Sequence, residues 1–77
     1  MQIRILIFGQ LTDIISSSEL KLDDIKDTDS LVEELSERYP ALAHAKYVLA
    51  VDKLTINSNT ILKDGSTVAL LPPFSGG

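Results

Sequence analysis

Along the opening stretch QIRILIFGQ, the β-branched residues Ile3, Ile5 and Ile7 alternate with Arg4, Leu6 and Phe8. That period of two predicts a strand with one face in a core, closed by Gly9. The next stretch, GQLTDIISSS, reads as a loop. In SELKLDDI, Leu20 and Leu22 alternate with Glu19, Lys21 and Asp23. This predicts a second, half-exposed strand, paired with the first as a hairpin.

The pattern then changes period. Ser30 followed by Glu33 fits a capping box, in which a serine N-cap and a glutamate one turn later satisfy two orphan amide donors, so a helix is expected to start there. Leu31, Val32, Leu35 and Tyr39 share one helical stripe, while Glu34 and Arg38 are spaced to pair on the wet face. Pro40 disfavours helical geometry at Tyr39 and ends the helix. KYVLAVDK, apolar on both parities, predicts a third strand. LTINSNTILKDGSTVALL holds two short runs around an Asp64-Gly65 turn, the last of them, STVALL, being a strand. One helix across one mixed sheet makes an α+β domain. The element order fits a β-grasp, although the periodicity carries no information on which strands pair. Residues 1–71 are expected to form the domain and residues 72–77 a flexible, extended C-terminal tail.

Size and charge narrow the chemistry. A chain of 77 residues is one domain, of a size that buries only about 60% of its unfolded surface. It has no cysteine, so disulfides, thiolate ligands and thiol nucleophiles are excluded, and any sulfur chemistry would use imported sulfur. A net charge of −4, with acidic residues spread along the chain, argues against nucleic acid as a partner. The apolar opening is too short, and too interrupted by Arg4, for a signal segment or a membrane span, so a cytoplasmic protein with no membrane partner is expected.

The ending, LLPPFSGG, is a poor way to finish a fold unless the terminus is itself the working part. Pro72 and Pro73 remove two backbone donors, so the last strand cannot continue pairing centrally past Leu71, and the pair favours an extended polyproline conformation. Gly76 and Gly77 have no side chains and can thread a passage too narrow for a β-carbon. Such a terminus can be inserted into another protein's active site. Fixing the four residues from Phe74 to Gly77 costs on the order of 4 to 8 kcal/mol, at roughly 1 to 2 per residue. Burying Phe74 in a partner pocket returns only ~1.5 to 3 kcal/mol, so a body surface must contribute docking energy too. Strand parity supplies one. If Ile3, Ile5 and Ile7 face the helix, Leu6 and Phe8 point to the other side of the sheet; likewise Val68 and Leu70 are core while Ala69 and Leu71 face outward. Apolar residues on a helix-free sheet face mark a protein interface, against the alternatives of a two-sided core or scattered surface.

With these residues in view, the chain resembles the small subunit of molybdopterin synthase, within the ubiquitin-like sulfur carriers. The resemblance is strongest in DGSTVALLPPFSGG and weaker in IRILIFGQLTDI and LAVDK, with little signal from Leu11 to Ser30. Asp52 stands where such proteins often have asparagine, which touches only a turn detail. The resemblance implies that Gly77 is the site of adenylation and thiocarboxylate formation. A ubiquitin-activating-type adenylating enzyme would activate its carboxylate with ATP and magnesium, and a sulfur donor protein would convert the acyl-adenylate to a thiocarboxylate. The large subunit of molybdopterin synthase would receive the tail, and two sulfur transfers to a cyclic pyranopterin precursor would build the dithiolene that holds molybdenum or tungsten. In these roles Gly77 carries the sulfur, Gly76 keeps the channel narrow, Phe74 and Ser75 seat the tail, and Pro72 and Pro73 hold it extended. Leu6, Phe8, Ala69 and Leu71 are assigned as body contacts from strand parity alone.

No catalytic set of its own is legible, and no cofactor or metal is expected to bind the chain. His44, the only histidine, lies in a polar-flanked segment without a clustered partner and reads as a surface residue. Asp23-Asp24 and Glu33-Glu34 read as solvated charge, because no further oxygen ligands follow at a recognisable spacing. Two alternatives stay open: a sulfur carrier of the thiamine pathway, with the Pro-Pro pair favouring the molybdopterin one, and a β-grasp adaptor that binds partners by its sheet face alone.

Overall fold

The computed structural model describes residues 2–73. The alternating opening segment forms strand β1, Gln2–Ile7, with Ile3, Ile5 and Ile7 buried. It pairs antiparallel with β2, Glu19–Asp23, as a hairpin in which Ile5 lies opposite Leu20. The connection between them is not a loop throughout. Leu11–Ile15 forms a short helix, α1, with Leu11 and Ile15 buried, and it ends at Ser16 in the left-handed region with φ 63°. Five residues are too few to hold a helix by propensity. Burial of the Leu11 and Ile15 pair, one turn apart, holds it against the domain core.

The main helix, α2, spans Thr28–Arg38, one turn earlier than the capping-box reading. Its N-cap is Asp27, not Ser30. The Asp27 carboxylate accepts from the Ser30 backbone N–H at 2.9 Å, and Asp27 itself is extended, with φ −154° and ψ 171°. Ser30 is therefore the third helical residue, and the acidic N-cap does the work assigned to it. The same turn is tied to a distant loop. Asn59 Oδ1 accepts from the Asp29 N–H at 2.9 Å and the Thr28 hydroxyl at 3.3 Å, and the Thr60 N–H donates to Thr28 Oγ1 at 2.9 Å. Leu31 and Leu35 are fully buried, Val32 and Tyr39 only partly, and Arg38 pairs with Glu34 at 2.7 Å on the exposed side. After Tyr39 the chain makes a 3-10 turn, Pro40–His44, which buries Leu42 and leaves His44 exposed.

Strand β3, Val48–Val51, and strand β4, Leu54–Ile56, form a second hairpin. Both residues of its two-residue turn, Asp52 and Lys53, have positive φ, 48° and 75°, the primed geometry that matches strand twist. Aspartate tolerates this conformation, and the Asp52 carboxylate is further held by the Thr67 N–H at 3.0 Å. Upstream of the Asp64-Gly65 turn the chain forms only an isolated bridge, Ile61 with Asp27; the earlier short strand pairs with β3 instead. The turn leads into β5, Thr67–Leu71.

The sheet has five strands in the order β2-β1-β5-β3-β4. Last among the described residues, β5 lies at the centre, parallel to β1 and antiparallel to β3. With α2 across one face, this is a β-grasp fold. Ile3, Ile5, Val68 and Leu70 meet Leu31 and Leu35 in one core between sheet and helix. Truncating Leu31, which is 0% exposed, to alanine should destabilise the domain by about 2–5 kcal/mol. Urea denaturation checks this, and a loss under about 1 kcal/mol would contradict the core assignment.

Candidate functional site: an open sheet face beside the chain exit

The side of the sheet away from α2 carries a groove of about 550 Å³. Its apolar lining comes from Leu6 and Phe8 of the β1 end, Ala69 and Leu71 of β5, and Ala50 of β3. Register explains the shape. Leu6 lies beside Ala69 across the parallel ladder, and Ala69 lies opposite Ala50 across the antiparallel one. The two alanines put a shallow floor on the central strands, and the larger side chains of Leu6, Phe8 and Leu71 stand around it. Phe8 is 45% exposed, more than its size warrants in a chain with few aromatics.

One end of the groove is polar, formed by Arg4, Asp52, Lys53, Thr55 and Thr67. Arg4 is oriented by Glu19 on the neighbouring strand, with Nε 2.6 Å and one terminal nitrogen 3.4 Å from the two carboxylate oxygens. The hydrogen bond from Arg4 is the main cause that holds the Glu19 carboxyl below its ordinary range, partly opposed by desolvation. Sequence reasoning passed over Arg4, Lys53 and Ala50. Ala50 could have been found by parity from Ala69 once the β3–β5 register was known, which periodicity does not supply.

The four residues assigned to the open face from parity, Leu6, Phe8, Ala69 and Leu71, all line this one groove. Pro72, half-buried, and Pro73, exposed, follow Leu71 directly and line a separate depression with Gln10, Leu11 and Lys46. The structure thus keeps the Pro-Pro pair next to the groove in sequence and on another wall in space. Phe74, Ser75, Gly76 and Gly77, assigned to tail seating and sulfur attachment, lie outside the described residues, as does the expectation of a flexible tail that rests on them. Among the described residues no group of three or more histidine, aspartate or glutamate side chains could hold a metal ion. No helix among them is long and apolar enough to cross a membrane.

A family model described as the ThiS family matches residues 5–77. The molybdopterin synthase sulfur carrier subunit of Mycobacterium tuberculosis is 29% identical to this chain over 82 residues, covering 100% of the chain and 99% of the relative. Among solved structures, the small archaeal modifier protein 1 of Methanosarcina acetivorans superimposes with a TM-score of 0.84 at 22% identity, over 99% of this chain and 96% of that one. A chain in the protein-protein complex of subunits 1 and 2 of the molybdopterin-converting factor of Helicobacter pylori is 26% identical, with a TM-score of 0.74 and full coverage of both chains.

Pairing at the groove's polar end sets a pH dependence. Because the Glu19 pKa is lowered in the folded state, the stability it contributes is present above the ordinary glutamate range and is lost as pH falls through the depressed value. In Arg4→Ala, Glu19 should titrate at higher pH than in the parent, read from carboxyl carbon chemical shifts. Identical titration curves would show that Arg4 does not hold it.

Proposed function

The chain belongs to the ThiS family, and we propose that it carries sulfur as a thiocarboxylate on Gly77 and delivers it to the large subunit of molybdopterin synthase. The observation that carries this reading is the placement of β5. The strand that leads into Pro72 and Pro73 is the central one, and its outward residues, Ala69 and Leu71, belong to an uncovered apolar groove. A partner seated on that groove would hold the root of the tail. The four residues beyond Pro73 could then reach at most about 14 Å into a neighbouring active site.

The chemistry would proceed in balanced steps. A Gly77 carboxylate oxygen attacks the α-phosphorus of magnesium-bound ATP in the activating enzyme, releasing pyrophosphate and leaving a mixed anhydride. A carboxylate is a poor electrophile, and AMP is the leaving group it lacks. The terminal sulfur of a donor protein's persulfide displaces AMP, and a thiol cleaves the acyl disulfide to leave the thiocarboxylate. That sulfur attacks an electrophilic carbon of the pterin precursor within the large subunit and displaces an oxygen leaving group from it, and water hydrolyses the resulting thioester, leaving the sulfur on the precursor as a thiolate and a free Gly77 carboxylate. The chain's own part is to present, orient and dock; the catalytic groups belong to its partners. The relative of known assembly in Helicobacter pylori forms a complex of subunits 1 and 2, and the sheet face is the surface offered here for the equivalent contact.

Two experiments test the proposal. Intact mass of the untagged protein from cells making molybdenum cofactor should show a fraction heavier by one oxygen-to-sulfur exchange, localised to Gly77. A chain extended by one residue after Gly77 should show none and should lose function, whereas an adaptor working through the sheet face would keep its function. For the docking face, Ala69→Lys should weaken binding to the large subunit by about tenfold or more, since it puts a charge on the groove floor, while the melting temperature changes little. Unchanged affinity in calorimetry would move the interface elsewhere.

A further inference from the structure

Two glycines in the described chain have positive φ, and they differ in what surrounds them. Gly65, with φ +85°, has nothing within 4 Å of where a β-carbon would be, so its turn geometry alone accounts for glycine. Gly9, with φ +61°, has a second requirement. A β-carbon there would lie 2.5 Å from Cγ of Pro72 and 3.5 Å from its Cδ. The proline ring occupies the space that any L side chain at position 9 would take.

The fold brings Gly9 and Pro72 together. β1 and β5 run parallel with Ile7 beside Leu70, and the Phe8 N–H donates to the Leu70 carbonyl at 3.1 Å, so both strands leave the sheet at the same end. There they diverge: β1 turns through Gly9 into α1, while β5 runs on into Pro72. Pro72 has no N–H to donate to a ladder, and β5 ends at Leu71, so the packing of its ring against Gly9 is the contact that orients it. The notch wall is itself held, because the Gly9 carbonyl accepts from the Thr12 N–H at 3.2 Å and the Thr12 hydroxyl at 2.8 Å.

We propose that Gly9 is a positioning residue: the side chain it lacks makes the notch that seats Pro72, and this sets the direction in which the tail leaves the sheet. The functional consequence rests on the sulfur-carrier reading above. Docking on the groove fixes the body, and the Gly9 notch fixes the heading of the tail relative to that body. A misaimed tail would bind the partner normally and present its terminus poorly.

The test is a double-mutant cycle of Gly9→Ala and Pro72→Ala, read in two ways. The chain has no cysteine, so a Ser75→Cys background takes a single nitroxide whose relaxation effect on body amides maps the tail's heading in the free protein. Gly9→Ala should redistribute that map, and adding it to Pro72→Ala should change nothing further. In sulfur delivery to the large subunit from thiocarboxylated proteins, Gly9→Ala should lower kcat on the order of 10- to 100-fold while the dissociation constant moves less than about threefold. On the Pro72→Ala background it should cost far less. Additive effects in both readouts would mean that backbone strain at Gly9, not the seat for Pro72, is responsible, and would overturn the proposal; so would an unchanged map. Gly9→Asn, better tolerated at positive φ, replaces Gly9→Ala if the latter does not fold. Absence of any thiocarboxylate on the parent protein would sink the carrier reading and still leave the relaxation cycle to judge the notch.

Discussion

The last strand of the described residues lies at the centre of the sheet, with β1 parallel on one side and β3 antiparallel on the other. Most of what distinguishes this molecule follows from that insertion. Both ladder edges of β5 are satisfied, and its inward residues Val68 and Leu70 are fully buried against the helix layer. Because side chains alternate, Ala69 and Leu71 must then face the other way, beside Leu6 and Ala50 on the flanking strands. A slip of one residue would bury Ala69 and expose Leu70, so the core that holds the fold also pins the composition of the open face.

The described residues supply only one substantial helix, and one helix covers one face of a five-stranded sheet. The second face has to be solvated or shared. Here it is apolar over its central strands and polar at one end, where Arg4 is held by Glu19 and Asp52 and Lys53 form a tight turn. The helix is in turn secured at its first turn from a distance. Asn59 and Thr60 bond to Thr28 and Asp29, so the loop that precedes β5 and the helix that packs on β5 are fastened to each other. The centre of the sheet is thereby braced from above by the helix and from upstream by that loop, leaving the far face as the accessible one.

Legibility followed the range of the forces involved. The period-two strands at Ile3–Ile7 and Leu20–Leu22 and the period-3.6 stripe of Leu31 and Leu35 were visible because each is repeated burial of alternate or stacked side chains. The helix start was misplaced by a turn because two side-chain oxygen acceptors compete within a few residues, Asp27 and Ser30, and only the extended backbone at Asp27 decides between them. The short helix at Leu11–Ile15 was missed because its stability lies in docking against the core, not in its own turns. Parity gave the open-face residues Leu6, Phe8, Ala69 and Leu71 and places Arg4 on the same face, but Ala50 and Lys53 needed the strand order.

The sequence by itself determined that Ile3, Ile5, Ile7, Leu31, Leu35, Val68 and Leu70 lie inside, that the chain turns at Asp64-Gly65, that no cysteine chemistry is its own, and that a Pro-Pro pair and two glycines follow an apolar strand; these depend on composition and on neighbours along the chain. Only the tertiary structure decided that β5 enters between β1 and β3, that a groove forms over Ala50 and Ala69, and that Pro72 sits against Gly9. Those contacts join residues far apart in sequence, and their energies depend on register and on the space between strands, neither of which a local pattern of apolar and polar positions encodes.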